Sequence, residues 1–227
     1  LCVYERTVED LLALSFERAA VEPFFDGATY RTYFDRFLEE FDDADELRTH
    51  CFVEIARERG RDPVQARAVA AEYAAARDQS NVRPRSGVPD VVRRLGERYP
   101  IALLTNGDES MQTAKLEGVG LADAFDATVF AGEATAPKPE TEPFERVLAE
   151  LDVAADRAVH VGNSLDSDVA GANAAGMRAA WTPADHDLPD DVQHVGDLHP
   201  DHPAVEPRPD AVLSGVDALA RELGVEH

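Results

Sequence analysis

Residues 159–172 read Val159-His160-Val161-Gly162-Asn163-Ser164-Leu165-Asp166-Ser167-Asp168-Val169-Ala170-Gly171-Ala172. A short apolar run stops at a glycine, oxygen-bearing side chains crowd the turn, and a run of small residues follows. The pattern is a strand, a Gly turn and a helix start. Hard oxygens near a helix N-terminus suit Mg²⁺ together with a phosphate. The same residue types also serve as ordinary helix caps.

The rhythm repeats on both sides of this stretch. Short apolar runs at 101–105, 128–131, 158–161, 178–181 and 211–213 read as strands. Helical stretches at 88–97, 110–117, 143–151 and 169–175 lie between them, and Ser214-Gly215-Val216-Asp217 opens a last helix. Alternation of this kind predicts an α/β fold with a parallel sheet. Such sheets bind ligands at the carboxyl ends of their strands. Thr105, Asn106, Asn163 and Asp168 are therefore the polar candidates.

Leu103-Leu104-Thr105-Asn106-Gly107 puts a hydroxyl and an amide at a strand end, beside a glycine that permits close approach. Lys138 sits in Ala136-Pro137-Lys138-Pro139-Glu140, where prolines on both sides constrain the backbone. It is one of only two lysines, with Lys115, against twenty arginines. A rigidly placed cation suits the neutralisation of an anion.

The first third is purely helical in pattern. Val8, Leu11, Leu12, Phe16 and Ala19 form one stripe, and Pro23 ends it. Tyr30, Tyr33, Phe34, Phe37, Leu38 and Phe41 form a second, interrupted by Asp42, Asp43 and Asp45. Leu47, Cys51 and Ile55 form a third, stopped by Gly60. Asp62-Pro63-Val64-Gln65 predicts an N-cap, a first-turn proline and a capping box with Gln65; Ala66, Val69 and Tyr73 follow. The composition changes near Asn81-Val82-Arg83-Pro84. The expected domains are a helical bundle at 1–82 and an α/β core at 83–227.

With 22 basic and 45 acidic residues, the 227-residue chain carries a formal charge of −23. Nucleic-acid binding calls for clustered basic residues, and none stand out. Carboxylates spread from Glu5 to Glu226 with almost no lysine read as a halophile's cytoplasmic protein, kept hydrated and screened by high salt. No run of roughly 20 apolar residues suggests a membrane span. Cys2 and Cys51 offer neither a disulfide framework nor metal spacing and read as reduced thiols. The loop at 185–209, with His186, His194, His199 and His202, reads as extended and solvated.

Taken in order, Thr105-Asn106-Gly107, then Lys138-Pro139-Glu140, then Gly162-Asn163-Ser164 with Asp168, Val169-Ala170-Gly171-Ala172 and Gly176-Met177 resemble the haloacid dehalogenase (HAD) superfamily. The resemblance implies a Rossmann-like core with a helical cap where residues 1–82 stand. It implies that Thr105 binds the transferring phosphoryl group with Asn106 beside it. Lys138 would offset charge on nucleophile and phosphate, while Asn163 and Asp168 would serve a Mg²⁺ site.

The chain departs from that pattern twice. The family's opening strand ends in Asp-x-Asp-x-Thr, its first Asp the nucleophile and its second the acid/base. Leu1-Cys2-Val3-Tyr4-Glu5 resembles what comes just after it. The expectation is a chain lacking its first core strand and nucleophile, and inactive as given. Asn163 also stands where the family usually has Asp, and a neutral amide holds Mg²⁺ less firmly; Asp166 or Asp168 could compensate. The reading these features imply is a Mg²⁺-dependent phosphatase acting on a small phosphate ester through an aspartyl-phosphate. The alternatives are a carbon–halogen hydrolase on the same scaffold and a non-catalytic member that binds a ligand or partner.

Overall fold

The computed structural model describes residues 1–41, 43–133, 135–184 and 187–222, with Glu39 and Asp217 described by backbone only. Asp42 of the acidic cluster, and Asp185 and His186 of the histidine loop, lie outside the described residues. The chain divides into two compact units, Tyr4–Val82 and Leu1–Val3 with everything from Arg83 onward.

The helical unit holds α1 (Val8–Arg18), α2 (Gly27–Phe37), α3 (Ala44–Glu58) and α4 (Pro63–Ala76). Each starts at a side-chain cap, and three of the four caps are aspartates. Asp26 accepts from Thr29 N at 2.8 Å, Asp43 from Asp45 N and Glu46 N at 2.9 and 2.7 Å, and Asp62 from Val64 N at 2.8 Å. A carboxylate there satisfies orphan donors and complements the helix dipole, so part of the acid serves local structure. The capping box expected with Gln65 is not the bond that forms, because Asp62 reaches Val64 instead. The reciprocal box is at α1, where Thr7 Oγ1 accepts from Asp10 N at 3.1 Å and Asp10 Oδ2 from Thr7 N at 3.0 Å.

The predicted stripes meet in one core. Leu12, Phe16, Leu47, Cys51, Phe52, Ile55, Val69 and Tyr73 are all 3 % exposed or less. Cys51 is a buried free thiol, pushed up to about 11 by burial. Phe24 and Phe25, just past Pro23, complete an aromatic cluster. Phe25 lies 4.8 Å from Phe52 and 5.1 Å from Phe16 between ring centroids, edge to face in both pairs. Leu38, expected on the apolar stripe, is 52 % exposed, because α2 gives way to a 3₁₀ turn at Leu38–Glu40.

Strands β1 (Cys2–Tyr4) and β2 (Val82–Pro84) pair with each other where the chain passes between units. β1 lies in a region read as wholly helical. Three residues are too few to show a period of two, and pairing with β2 is what makes them a strand.

The α/β unit runs α5 (Val88–Gly96), β3 (Ala102–Asn106), α6 (Glu109–Gly118), β4 (Ala127–Ala131), α7 (Glu142–Leu151), β5 (Val159–Gly162), α8 (Ala170–Ala174), β6 (Arg178–Trp181), β7 (Ala211–Val212) and α9 (Val216–Glu222). Its strand pairings among the described residues are parallel: β3 with β4, β5 with β6, and β6 with β7. β3 and β5 do not pair with each other; they belong to separate ladders. The 185–209 loop, read as extended and solvated, is mostly exposed among its described residues but is anchored at a few buried points. Leu198 and Val205 are 6 % and 2 % exposed and pack with Phe144, Val169 and Trp181. Scattered single apolar residues anchor it, which no periodicity signals.

Candidate functional site

The site lies at the carboxyl ends of β3 and β5. β3 ends in Leu104, Thr105 and Asn106, and β5 ends in Gly162. Lys138 arrives on the loop after β4. Asn106 fixes that loop with both ends of its amide: Oδ1 accepts from Lys138 N at 2.9 Å and Nδ2 donates to Lys138 O at 3.2 Å. Asn106 thus acts as a backbone clamp on the lysine. Thr105, one residue earlier, donates through Oγ1 to Asn106 O at 3.3 Å.

With its backbone held, Lys138 turns inward, its side chain 9 % exposed. Nζ donates to Leu104 O at 3.3 Å and to Asp168 Oδ1 at 2.6 Å. The lysine therefore ties the end of β3 to the turn after β5. An ammonium has three donors, and these partners use two.

Asp168 is the centre of the arrangement. After Ser164, whose Oγ accepts from Ser167 N at 3.1 Å, the chain makes a π turn at Leu165–Val169 before α8. That turn folds the Asp168 side chain back beneath the end of β5. Oδ2 accepts from Asn163 N and Ser164 N at 3.0 Å each, while Oδ1 faces Lys138 and, at 3.0 Å, His160 Nε2. Burial works to raise the carboxyl. The His160 hydrogen bond and the Lys138 ammonium oppose it and hold Asp168 well below the usual carboxylate range. It is a buried, ionised carboxylate with four donors.

Two glycines make this packing possible. A Cβ on Gly162 would stand 2.2 Å from Asp168 Cγ. A Cβ on Gly171 would stand 2.3 Å from the Phe144 ring and 2.9 Å from Pro139 O. The residues of the Gly-rich stretch are there for close approach.

Lys138, Asn106, Asp168 and the Asn163 backbone thus come together, with Thr105 beside them. One assignment changes. Asp168 is not placed as a metal ligand, because both oxygens are already engaged and its side chain is only 7 % exposed. Asn163 is an exposed residue, and its backbone carbonyl, not its side chain, accepts from Trp181 Nε1 at 3.0 Å. Among the described residues no three His, Cys, Asp or Glu side chains form a group fit to hold a metal ion. The donors present do not make a magnesium cage on their own.

His160 and Trp181 were missed from sequence. His160 sits in the middle of a strand, its side chain 13 % exposed and its ring 5.0 Å from Phe144. A histidine between two valines was the available signal, for such a residue in a buried strand needs a polar partner.

Comparison with known proteins identifies the family. Residues 3–176 match the family described as haloacid dehalogenase-like hydrolase, and residues 135–219 match a second HAD-hydrolase-like family. A phosphoserine phosphatase from Thermus thermophilus is 35 % identical over 158 residues, 67 % of this chain and 62 % of that protein. A ribulose-1,5-bisphosphate 5-phosphatase from Halopiger xanaduensis is 42 % identical over 94 residues, 40 % of this chain and 39 % of that protein. The chain thus spans less than two thirds of either relative. Among solved structures, the magnesium-bound HAD-hydrolase YfnB from Bacillus subtilis superposes with a TM-score of 0.67 at 21 % identity, covering 94 % of this chain and 91 % of that one. A 2-haloacid dehalogenase from Pseudomonas syringae gives 0.58 at 25 % identity, covering 95 % and 86 %. The strand-end lysine, the Gly-Asn-Ser turn and a family match over most of the sequence place this chain among the haloacid dehalogenase-like hydrolases.

Proposed function

We propose that this chain belongs to a phosphatase acting on a small phosphate ester, with Lys138 as the fixed cation of its site. The carrying observation is the Lys138 ammonium, buried at the strand ends and held by Leu104 O and Asp168. A preorganised cation in a water-poor site stabilises developing negative charge without rearranging. Two of the relatives above bear phosphatase names.

The roles follow from the contacts. Lys138 presents its third donor to a phosphoryl oxygen, and the Thr105 hydroxyl binds another. Asn106 positions the lysine backbone. Asp168 positions the ammonium and is not the nucleophile, since four donors occupy its oxygens. His160 supports Asp168 from below. Mg²⁺, expected from the resemblance, would supply charge neutralisation at the phosphoryl group. The free oxygen donors on this side are the exposed Asn163 and Asp166, so no step is assigned to the ion.

A second reading, hydrolysis of a carbon–halogen bond, is favoured by Asn163, a neutral amide where a metal-binding carboxylate is expected. One assay separates them. The protein is offered small phosphate esters and 2-haloacids, with Mg²⁺ or with EDTA, and phosphate and halide are measured. Phosphate release that falls at least about 100-fold in Lys138→Ala supports the proposal. Halide release alone selects the second reading. Neither product from any substrate would leave a binding protein.

A further inference from the structure

We infer that the helical unit carries its own binding site for a small organic oxyanion, a carboxylate or phosphate group borne on an apolar body. The site is a cavity of about 210 Å³ lined entirely by residues between Tyr4 and Asn81. The inference stands on this unit alone and does not depend on the hydrolase reading.

Charge distribution is the first argument. Residues 4–82 hold 18 acidic side chains against 10 arginines. Four of those arginines, Arg6, Arg31, Arg48 and Arg77, line this one cavity, with two carboxylates, Asp35 and Asp78. Asp78 is already engaged by Ser80, through N at 2.9 Å and Oγ at 2.6 Å. On a chain with a formal charge of −23, most surfaces repel an anion. An arginine-lined hollow is where an anion is tolerated, and the planar guanidinium fork suits carboxylate or phosphate.

The second argument is how the arginines are held. Arg48 is the buried one, its side chain 11 % exposed, paired with Asp45 on its outer side. Tyr30, 5 % exposed, lines the same cavity. A phenol hydroxyl can donate its proton to a ligand oxygen. Burial raises the Tyr30 phenol, which keeps that proton in place. Arg31 is paired with Glu9 at 3.0 Å, but both side chains are more than half exposed. Such a pair is worth little and yields to a better partner. Neither Arg6 nor Arg77 makes an ion pair among the described residues.

The third argument is the wall. Val8, Leu11 and Phe34 line the cavity beside the polar groups. The volume suits about one ring, since a cavity of roughly 150 Å³ already takes benzene. A naked inorganic anion would leave this wall unused.

Calorimetric titration of the full chain in molar KCl tests the site with benzoate, phenylphosphonate, benzyl alcohol and inorganic phosphate. Saturable one-to-one binding of benzoate or phenylphosphonate is expected, and the tighter of the two identifies the head group. Benzyl alcohol and inorganic phosphate should bind at least about tenfold more weakly. Tyr30→Phe keeps the packing and removes the hydroxyl donor, and should weaken the preferred probe about fivefold. The double variant R6Q/R77Q, on the cavity rim, should weaken it about tenfold or more. The inference is overturned if neither organic anion binds, if benzyl alcohol binds as well, or if both cavity variants bind like the parent.

Discussion

The helical unit and the α/β unit are held together in different ways. In the helical unit one continuous cluster, from Leu11 to Ala76, buries the apolar faces of all four helices. In the α/β unit the buried residues fall into four separate clusters. Its strands form two ladders, and the connection between their ends at the site is polar: Lys138 on Leu104 O at one side and on Asp168 at the other. One unit rests on non-directional apolar burial. The other concentrates a buried charge pair at the junction where its chemistry is placed. Burial tolerates substitution by degrees, whereas a buried charge pair fails when either partner is lost.

Salt is the harshest way to probe this contrast. At −23 the chain repels itself, and at 0.01 M salt the Debye length of about 30 Å lets that repulsion act across both units. The folded state is expected to need molar salt. Melting followed across a KCl series checks this, and a melting temperature independent of salt would remove the halophilic reading.

Truncating a core ring comes next. Phe52 is fully buried and stacks edge-on with Phe25, Tyr30 and Tyr73. Phe52→Ala should cost about 3–5 kcal/mol. Hydrogen exchange should accelerate in α1–α4 and leave β3–β6 protected; equal loss in both units would mean that the two cores are not independent.

The polar junction gives a sharper signature. Lys138→Met strands a buried carboxylate and should destabilise the α/β unit by about 3 kcal/mol. Adding Asp168→Leu should recover much of that, because the unpaired charge is gone. A double variant no more stable than the single would show that Asp168 matters for its bonds to Asn163 N and Ser164 N and not for the charge pair.

Acid titration is expected to give the smallest effect. The Asp168 carboxyl is depressed in the folded chain from its ordinary value of 3.8. A depressed carboxyl stabilises fully above that ordinary value and loses its contribution as pH falls through the depressed one. Asp168→Asn should therefore flatten the acid limb of the stability curve, read by urea melts from pH 5 to pH 2. Phe52→Leu should shift the curve without changing its slope.

The same contrast explains what the sequence revealed. Apolar periodicity exposed α1–α4 because burial alone shapes them, and the βαβ rhythm exposed the α/β order because β3–β6 are short apolar runs. Thr105 and Asp168 were marked as candidates by residue type and strand-end position, and Lys138 by its proline-flanked loop and the scarcity of lysine. The direction in which Asp168 points was not. Oxygen-rich turns ligate metals or accept backbone donors with the same residues, and only the π turn and the bare Gly162 decide. His160 and Trp181 were hidden for the same reason: each acts across the fold on one distant atom, and no local spacing marks such a contact.

Trp181 has a further consequence. It is the chain's single tryptophan, 3 % exposed, with its indole N–H bonded to the carbonyl of Asn163. Tryptophan emission, excited selectively over the tyrosines, therefore originates at the turn that carries Asn163 and Asp168. A ligand or cation arriving there changes the field on that one fluorophore. Occupancy of the strand-end site can thus be read as a colour shift in the unlabelled protein, in molar salt and without a substrate.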